Sequence, residues 1–162
     1  MIRKATNKDL APIVDIYNQS IPSRLATADT EPKSISEFTA WFTSHHPMRP
    51  IFVYEQDNQC VAWLSFKDFY GRPAYQSTAE ISIYVATSAI GQGIGTTLLS
   101  HALSICPELN IERLLAFIFS HNTASIELFK KFGFTAWGEL PDVAEMDDKK
   151  YSLSILGLKV NQ

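Results

Sequence analysis

The stretch "ISIYVATSAIGQGIGTTLLSHAL", Ile81 to Leu103, constrains the fold of this chain more than any other. It begins as an alternating apolar run, passes through Gly91, Gly93 and Gly95, and continues with the periodicity of a helix. A strand must therefore turn sharply into a helix. The first N–H groups of a helix have no partner within it, and the helix dipole adds partial positive charge there. Glycines let the backbone approach a guest closely. Such a junction is an anion site, and a phosphate or pyrophosphate is the expected guest. Gly95 is followed by Thr96 without the lysine of a Walker loop, and the Gly91-x-Gly93-x-Gly95 spacing is not that of a dinucleotide fingerprint. A tight turn with no ligand is the plain alternative.

The elements around this junction follow from periodicity and caps. Ile2–Ala5 reads as a short strand. Thr6 offers an N-cap, and Leu10, Ile13, Val14 and Tyr17 share one helical face, with Pro12 irregularising the start. "SIPSRLATADTEPKS" has turn formers and no period, so it reads as a loop. Ser34 and Glu37 form a capping box for a second helix. A hairpin follows, with strands 51–56 and 60–69 around Asp57-Asn58. Strand 79–85 enters the glycine turn, and the helix is expected over 92–104. Strand 113–120, a helix from Asn122 to the stop at Gly133, and two strands within 134–140 and 151–160 complete the chain. The order is strand, two helices, three strands, helix, strand, helix, two strands: a mixed α/β domain.

Length and composition fit one globular domain over 1–162. The chain has 162 residues, 46% of them apolar, enough for a core without disulfides or metals. With 14 basic and 17 acidic residues and no basic stripe, nucleic acid and anionic membranes have no electrostatic support as partners. No apolar stretch approaches membrane-spanning length, and "MIRKATNKDL" lacks the apolar segment of a signal peptide, so a cytoplasmic location is expected. Cys60 and Cys106 fit no metal or redox spacing and read as reduced packing thiols. His45 and His46 lack a carboxylate at ligand spacing, so no metal is expected. Trp41, Trp63 and Trp137 read as core residues.

The glycine stretch resembles the pyrophosphate-binding signature of the GCN5-related N-acetyltransferase (GNAT) superfamily, Gln/Arg-x-x-Gly-x-Gly/Ala. It maps onto Ile90-Gly91-Gln92-Gly93-Ile94-Gly95, with Ile90 standing where Gln or Arg is usual. "HNTASIELFKKFGF" is similar to the superfamily's Asn-x-x-(Ala/Ser)-x-x-Leu helix, with Asn122 and Ser125 on matching positions. "TADTEP", "GRPAY" and "AEISIYV" look like the phosphinothricin and methionine sulfoximine acetyltransferase group. The resemblance covers nearly the whole chain.

The resemblance implies a GNAT-like fold, with a mixed, mostly antiparallel central sheet flanked by helices. It implies acetyl-CoA as co-substrate and a homodimer. Coenzyme contacts are expected from Ile83, Tyr84, Val85, Ile90, Gly91, Gln92, Gly93, Ile94, Gly95, Thr96, Asn122, Ser125 and Phe129. Glu80, which matches the family's glutamate, is the expected base for a small primary amine, and backbone N–H near Val85 the expected oxyanion donor. Phe129 stands where relatives place a tyrosine or histidine, and it cannot give the leaving thiolate a proton. A carboxylate on the acceptor calls for a guanidinium, with Arg72 and Tyr75 first in line, Arg24 a second candidate, and Thr27, Thr30 and Glu31 at the same mouth. Direct attack is expected, since neither cysteine has an activating partner. A protein or peptide N-acetyltransferase, and an acyl-CoA-binding module without catalysis, are the rival expectations.

Overall fold

The computed structural model describes Met1–Val160. Its elements follow the expected order: β1 (Ile2–Lys4), α1 (Leu10–Ser20), α2 (Ile35–Thr43), β2 (Ile51–Gln56), β3 (Gln59–Asp68), β4 (Thr78–Val85), α3 (Ile94–Ile105), β5 (Arg113–Phe119), α4 (Thr123–Lys131), β6 (Thr135–Met146) and β7 (Lys149–Lys159). The strands form one seven-stranded sheet in the order β1-β2-β3-β4-β5-β7-β6. Every pairing is antiparallel except β4 with β5.

Local chemistry sets the element ends. Asp9 closes a capping box with Thr6, and its carboxylate also takes two hydrogen bonds from Arg3, at 2.7 and 2.9 Å. The helix starts irregularly, with a single 3-10 turn over Asn7–Asp9 before α1. Ser34 caps α2 by accepting from the Glu37 N–H at 3.1 Å, while Glu37 accepts from the Ser34 N–H. The helix after the glycines begins at Ile94 rather than at 92, because Gly91 and Gly93 hold left-handed φ angles of 85° and 76°. The last hairpin is longer than its apolar runs suggest. β6 continues past Pro141 to Met146 through an irregularity between Leu140 and Ala144, then turns on Asp147 and Asp148. As an edge strand, β6 tolerates a residue that lacks an N–H.

The core lies on both faces of the sheet. On one face Trp63, 1% exposed, donates its indole N–H to the Ile13 carbonyl of α1 at 3.1 Å. On the other, Phe52 meets His101 of α3 edge-on at 4.8 Å. Helices α1 and α2 thus cover the Trp63 face and α3 the opposite one. Trp137 is not a core residue: it is 44% exposed and lies over Gly157, where any Cβ would come within 2.1 Å of its ring.

Candidate active site

The parallel ladder between β4 and β5 covers only Thr78–Glu80 against Arg113–Leu115. Beyond it, β5 stays paired to β7 as far as Phe119 and β4 stays paired to β3 as far as Val85, so the two strands part. The Thr78 carbonyl accepts from Phe69 and the Ala86 N–H reaches Val61, so even-numbered residues of β4 turn their polar backbone toward β3. By alternation, the N–H groups of Ile83 and Val85 face the gap. Their neighbours in the gap are Ile118, Phe117 and, from α4, Ser125 and Phe129. Phe129 is 5% exposed and packs edge-on against Phe134, so its ring is both core and cleft wall.

At one end of the gap stands the N-terminus of α3. Gly93 is its N-cap and supplies no side-chain cap. The Thr97 N–H bonds to the Gly93 carbonyl at 3.1 Å, which leaves the N–H groups of Ile94, Gly95 and Thr96 for a guest. A Cβ built on Gly91 or Gly93 would meet nothing within 4 Å. Open space beside uncapped donors fits a pyrophosphate. Ile94 is 4% exposed and anchors the turn in the core, while Ile90 is 65% exposed and Gln92 accepts from the Gln56 amide at 3.0 Å. Gly95 sits where α3 and α4 approach, with Leu128 3.3 Å from its ideal Cβ.

Asn122 has two roles at the start of α4. Its carbonyl oxygen accepts from the Ser125 N–H at 3.3 Å, and its amide donates to the Leu25 carbonyl at 3.2 Å. His121 donates to Arg24 O at 2.9 Å, and the Tyr84 hydroxyl donates to Ala26 O at 3.1 Å. The segment 24–26 is therefore fastened across the cleft. Arg24 is held by Asp147 of the β6–β7 turn at 2.8 Å.

Glu80, Ser82 and Tyr84 project from β4 toward α1 and α2. Tyr84 stacks on Trp63 at 4.7 Å, and burial pushes its hydroxyl pKa up. Glu80 is half-buried, and its carboxylate makes no hydrogen bond or ion pair among the described residues. Burial raises its carboxyl pKa, against the opposing charge of Lys67. Two cavities meet at its side chain. The inner one, about 400 Å³, is walled by Tyr17, Phe38, Trp41 and Tyr84 and edged by Asp29 and Lys33. The outer one, about 490 Å³, is lined by His46, Arg49, Asp68 and Gly71. Glu80 and Lys67 belong to both.

The expected acceptor residues are not all gathered here. Arg72 and Tyr75 line a separate cavity of about 220 Å³, which touches the outer one at Asp68 and Gly71. Thr27 is buried, and its hydroxyl is bonded to Tyr17 behind the inner cavity. Glu31 is exposed and lines none of these cavities, and Thr30 meets Arg24 only through its carbonyl. Lys67 carried no sequence signal, being a lone cation on a strand, and Asp29 lies within "TADTEP", where the expectation falls on the threonines and the glutamate. Lys67 faces Glu80 across the β3–β4 register, so a hairpin alignment from the sequence could have found it. Both thiols are free, and burial pushes each up to about 11. Among the described residues, no three His, Cys, Asp or Glu side chains cluster as a metal site, and no helix is long and apolar enough to cross a membrane.

Comparison with known proteins gives this geometry a context. The acetyltransferase (GNAT) family model matches residues 12–134. The Bacillus subtilis protein YwnH, provisionally named a phosphinothricin acetyltransferase, is 50% identical over 99% of both chains. An L-methionine sulfoximine/L-methionine sulfone acetyltransferase of Salmonella typhimurium is 27% identical, covering 99% of this chain and 95% of its own. The solved structure of yncA from Salmonella typhimurium, a provisionally assigned acetyltransferase with its cofactor acetyl-CoA, superposes with a TM-score of 0.93 at 27% identity, over 100% of this chain and 94% of that one.

Proposed function

Because the chain belongs to the acetyltransferase (GNAT) family, we propose that it acetylates the primary amine of a small amino-acid-like acceptor, of the phosphinothricin, methionine sulfoximine or methionine sulfone type. The observation that carries this reading is the parting of β4 from β5, with uncapped α3 donors at one end and half-buried Glu80 on the same strand lining the adjoining cavities.

Acetyl-CoA, when bound, supplies an acyl carbon activated by a thiolate leaving group. The N–H groups of Ile94, Gly95 and Thr96 would hold its pyrophosphate. Asn122, Ser125 and Phe129 would line its arm, along with the β4 backbone from Ile83 to Val85. Glu80 takes a proton from the acceptor's ammonium, directly or through water, and burial suits it to that task by raising its basicity. The N–H groups of Ile83 and Val85 face the gap as donors to the oxygen on which negative charge develops. Thiols held poorly ionised by desolvation favour direct attack by the amine over an acetylated cysteine. Arg72, with Tyr75, is proposed to meet an acidic group of the acceptor at the outer mouth, while Thr27 holds the Tyr17 hydroxyl behind the inner cavity. A homodimer completes the proposal, and light scattering at twice the chain mass is its check.

Cavities of this size suit an amino acid better than a peptide. The test is thiol release from acetyl-CoA against phosphinothricin, methionine sulfoximine, methionine sulfone, free amino acids, polyamines and a short peptide. Release with the first three alone is expected. Release with the peptide alone would move the acceptor class to proteins, and binding of acetyl-CoA without release on any amine would leave a binding module.

A further inference from the structure

The geometry points to Lys67 as a specificity-determining residue, whose ammonium receives the α-carboxylate of the acceptor while Glu80 receives its amine. This rests on the proposed amino-acid acceptor. The other cations around the two cavities at Glu80 are already engaged. Lys33 lies 3.5 Å from Asp29 and 3.7 Å from Glu37. Arg49 is 3% exposed, with its Nε 3.0 Å from Asp68 and its terminal nitrogens on the Leu109 and Gln76 carbonyls. His46 sits 3.3 Å from the same Asp68. The Lys67 ammonium makes no hydrogen bond or ion pair among the described residues, yet the residue lines both cavities.

Its position fits one class of ligand. Lys67 and Glu80 are directly opposed in the β3–β4 register, which sets their Cβ atoms about 5 Å apart on one face of the sheet. They do not close a salt bridge on each other. Two opposite, uncommitted charges side by side are the complement of a zwitterion whose ammonium and carboxylate hang on one carbon. An α-amino acid lying across the pair sets its ammonium on Glu80 and its carboxylate on Lys67. Its side chain is then free to enter the outer cavity toward Arg72. The arrangement selects for a free α-carboxylate, which polyamines, simple amines and the N-terminus of a peptide lack.

The experiment compares acetylation of methionine sulfone with that of its decarboxylated amine, 3-(methylsulfonyl)propylamine, by wild type, Lys67→Met and Lys67→Arg. The expected result is a roughly ten- to hundredfold fall in kcat/KM for methionine sulfone in Lys67→Met, carried mainly by KM. The decarboxylated amine should change less than threefold, and Lys67→Arg should recover most of the loss. An equal fall on both acceptors would overturn the assignment, because Lys67 would then act through Glu80 rather than on the carboxylate. No change on either would overturn it too. A wild type that acetylates no α-amino acid at all would sink the acceptor class and this assignment together, a pattern distinct from the other two.

Discussion

At the residue scale, Glu80 and Asp9 are carboxylates with opposite environments. Glu80 is held with its pKa raised, mainly by burial. Its protonated form therefore stabilises the fold at low pH, and that stability is lost as pH rises through the raised value. At neutral pH the ionised carboxylate is a burden on folding, one that the proposed role as base would use. Glu80→Gln should lower kcat by about 10²–10⁴-fold and leave acetyl-CoA affinity intact. It should not lower the melting temperature at pH 7. In the wild type, the acid limb of kcat/KM should lie above the ordinary glutamate range. Unchanged turnover in Glu80→Gln would remove this residue from the mechanism. Asp9 is held low, chiefly by its hydrogen bonds from Arg3. Its contribution is present above the usual aspartate range and is lost as pH falls through the lowered value. Asp9→Ala removes a cap and one of the two carboxylates on Arg3, which keeps Glu55, so urea denaturation at pH 7 should show a loss of about 1–2 kcal/mol with activity per folded molecule retained.

At the scale of elements, Asn122 couples the start of α4 to the segment 24–26. Its oxygen caps the helix and its amide reaches Leu25. Asp in its place keeps the cap and loses the amide donor, whereas Ala loses both. Asn122→Ala should therefore cost about 1 kcal/mol of stability and Asn122→Asp almost none, while both raise the KM for acetyl-CoA. Equal stability loss in the two variants would show that the amide, not the cap, matters to the fold. This element also shows how far the sequence can be read. Asn122, the Ser34–Glu37 box and the Gly91–Gly95 turn were legible because caps and glycines act locally. The parting of β4 from β5 came only from the family resemblance and not from any local signal, because it depends on how far β5 follows β7. The continuation of β6 past Pro141 was hidden because only edge position, a tertiary property, makes that proline tolerable. Glu80 could be picked from its motif, but Lys67 became visible only when the hairpin register placed it opposite. Arg72 was picked for its guanidinium, yet the loop that carries it sets it in a neighbouring cavity.

At the scale of the molecule, the sheet is two antiparallel halves joined by the short parallel ladder of Thr78–Glu80 with Arg113–Leu115. The proposed coenzyme cleft is the wedge between the halves, so acetyl-CoA bound there touches both and is present only in the folded state. Mass action then makes it a stabiliser: at a hundredfold excess over Kd the gain is about 2.7 kcal/mol. For a chain of this size that is a rise in melting temperature of roughly 5–10 °C. Differential scanning fluorimetry with and without acetyl-CoA measures it. Glu80→Gln should keep the full rise, since its side chain lines the proposed acceptor cavities rather than the coenzyme cleft. Gly93→Ala should lose most of it, because a methyl group would enter the open space beside the α3 donors and the left-handed φ of 76° would be strained by about 1 kcal/mol. A full rise in Gly93→Ala would mean that the pyrophosphate sits elsewhere. Loss of the rise in Glu80→Gln would mean that the two halves of the site are not separable as the sheet topology implies.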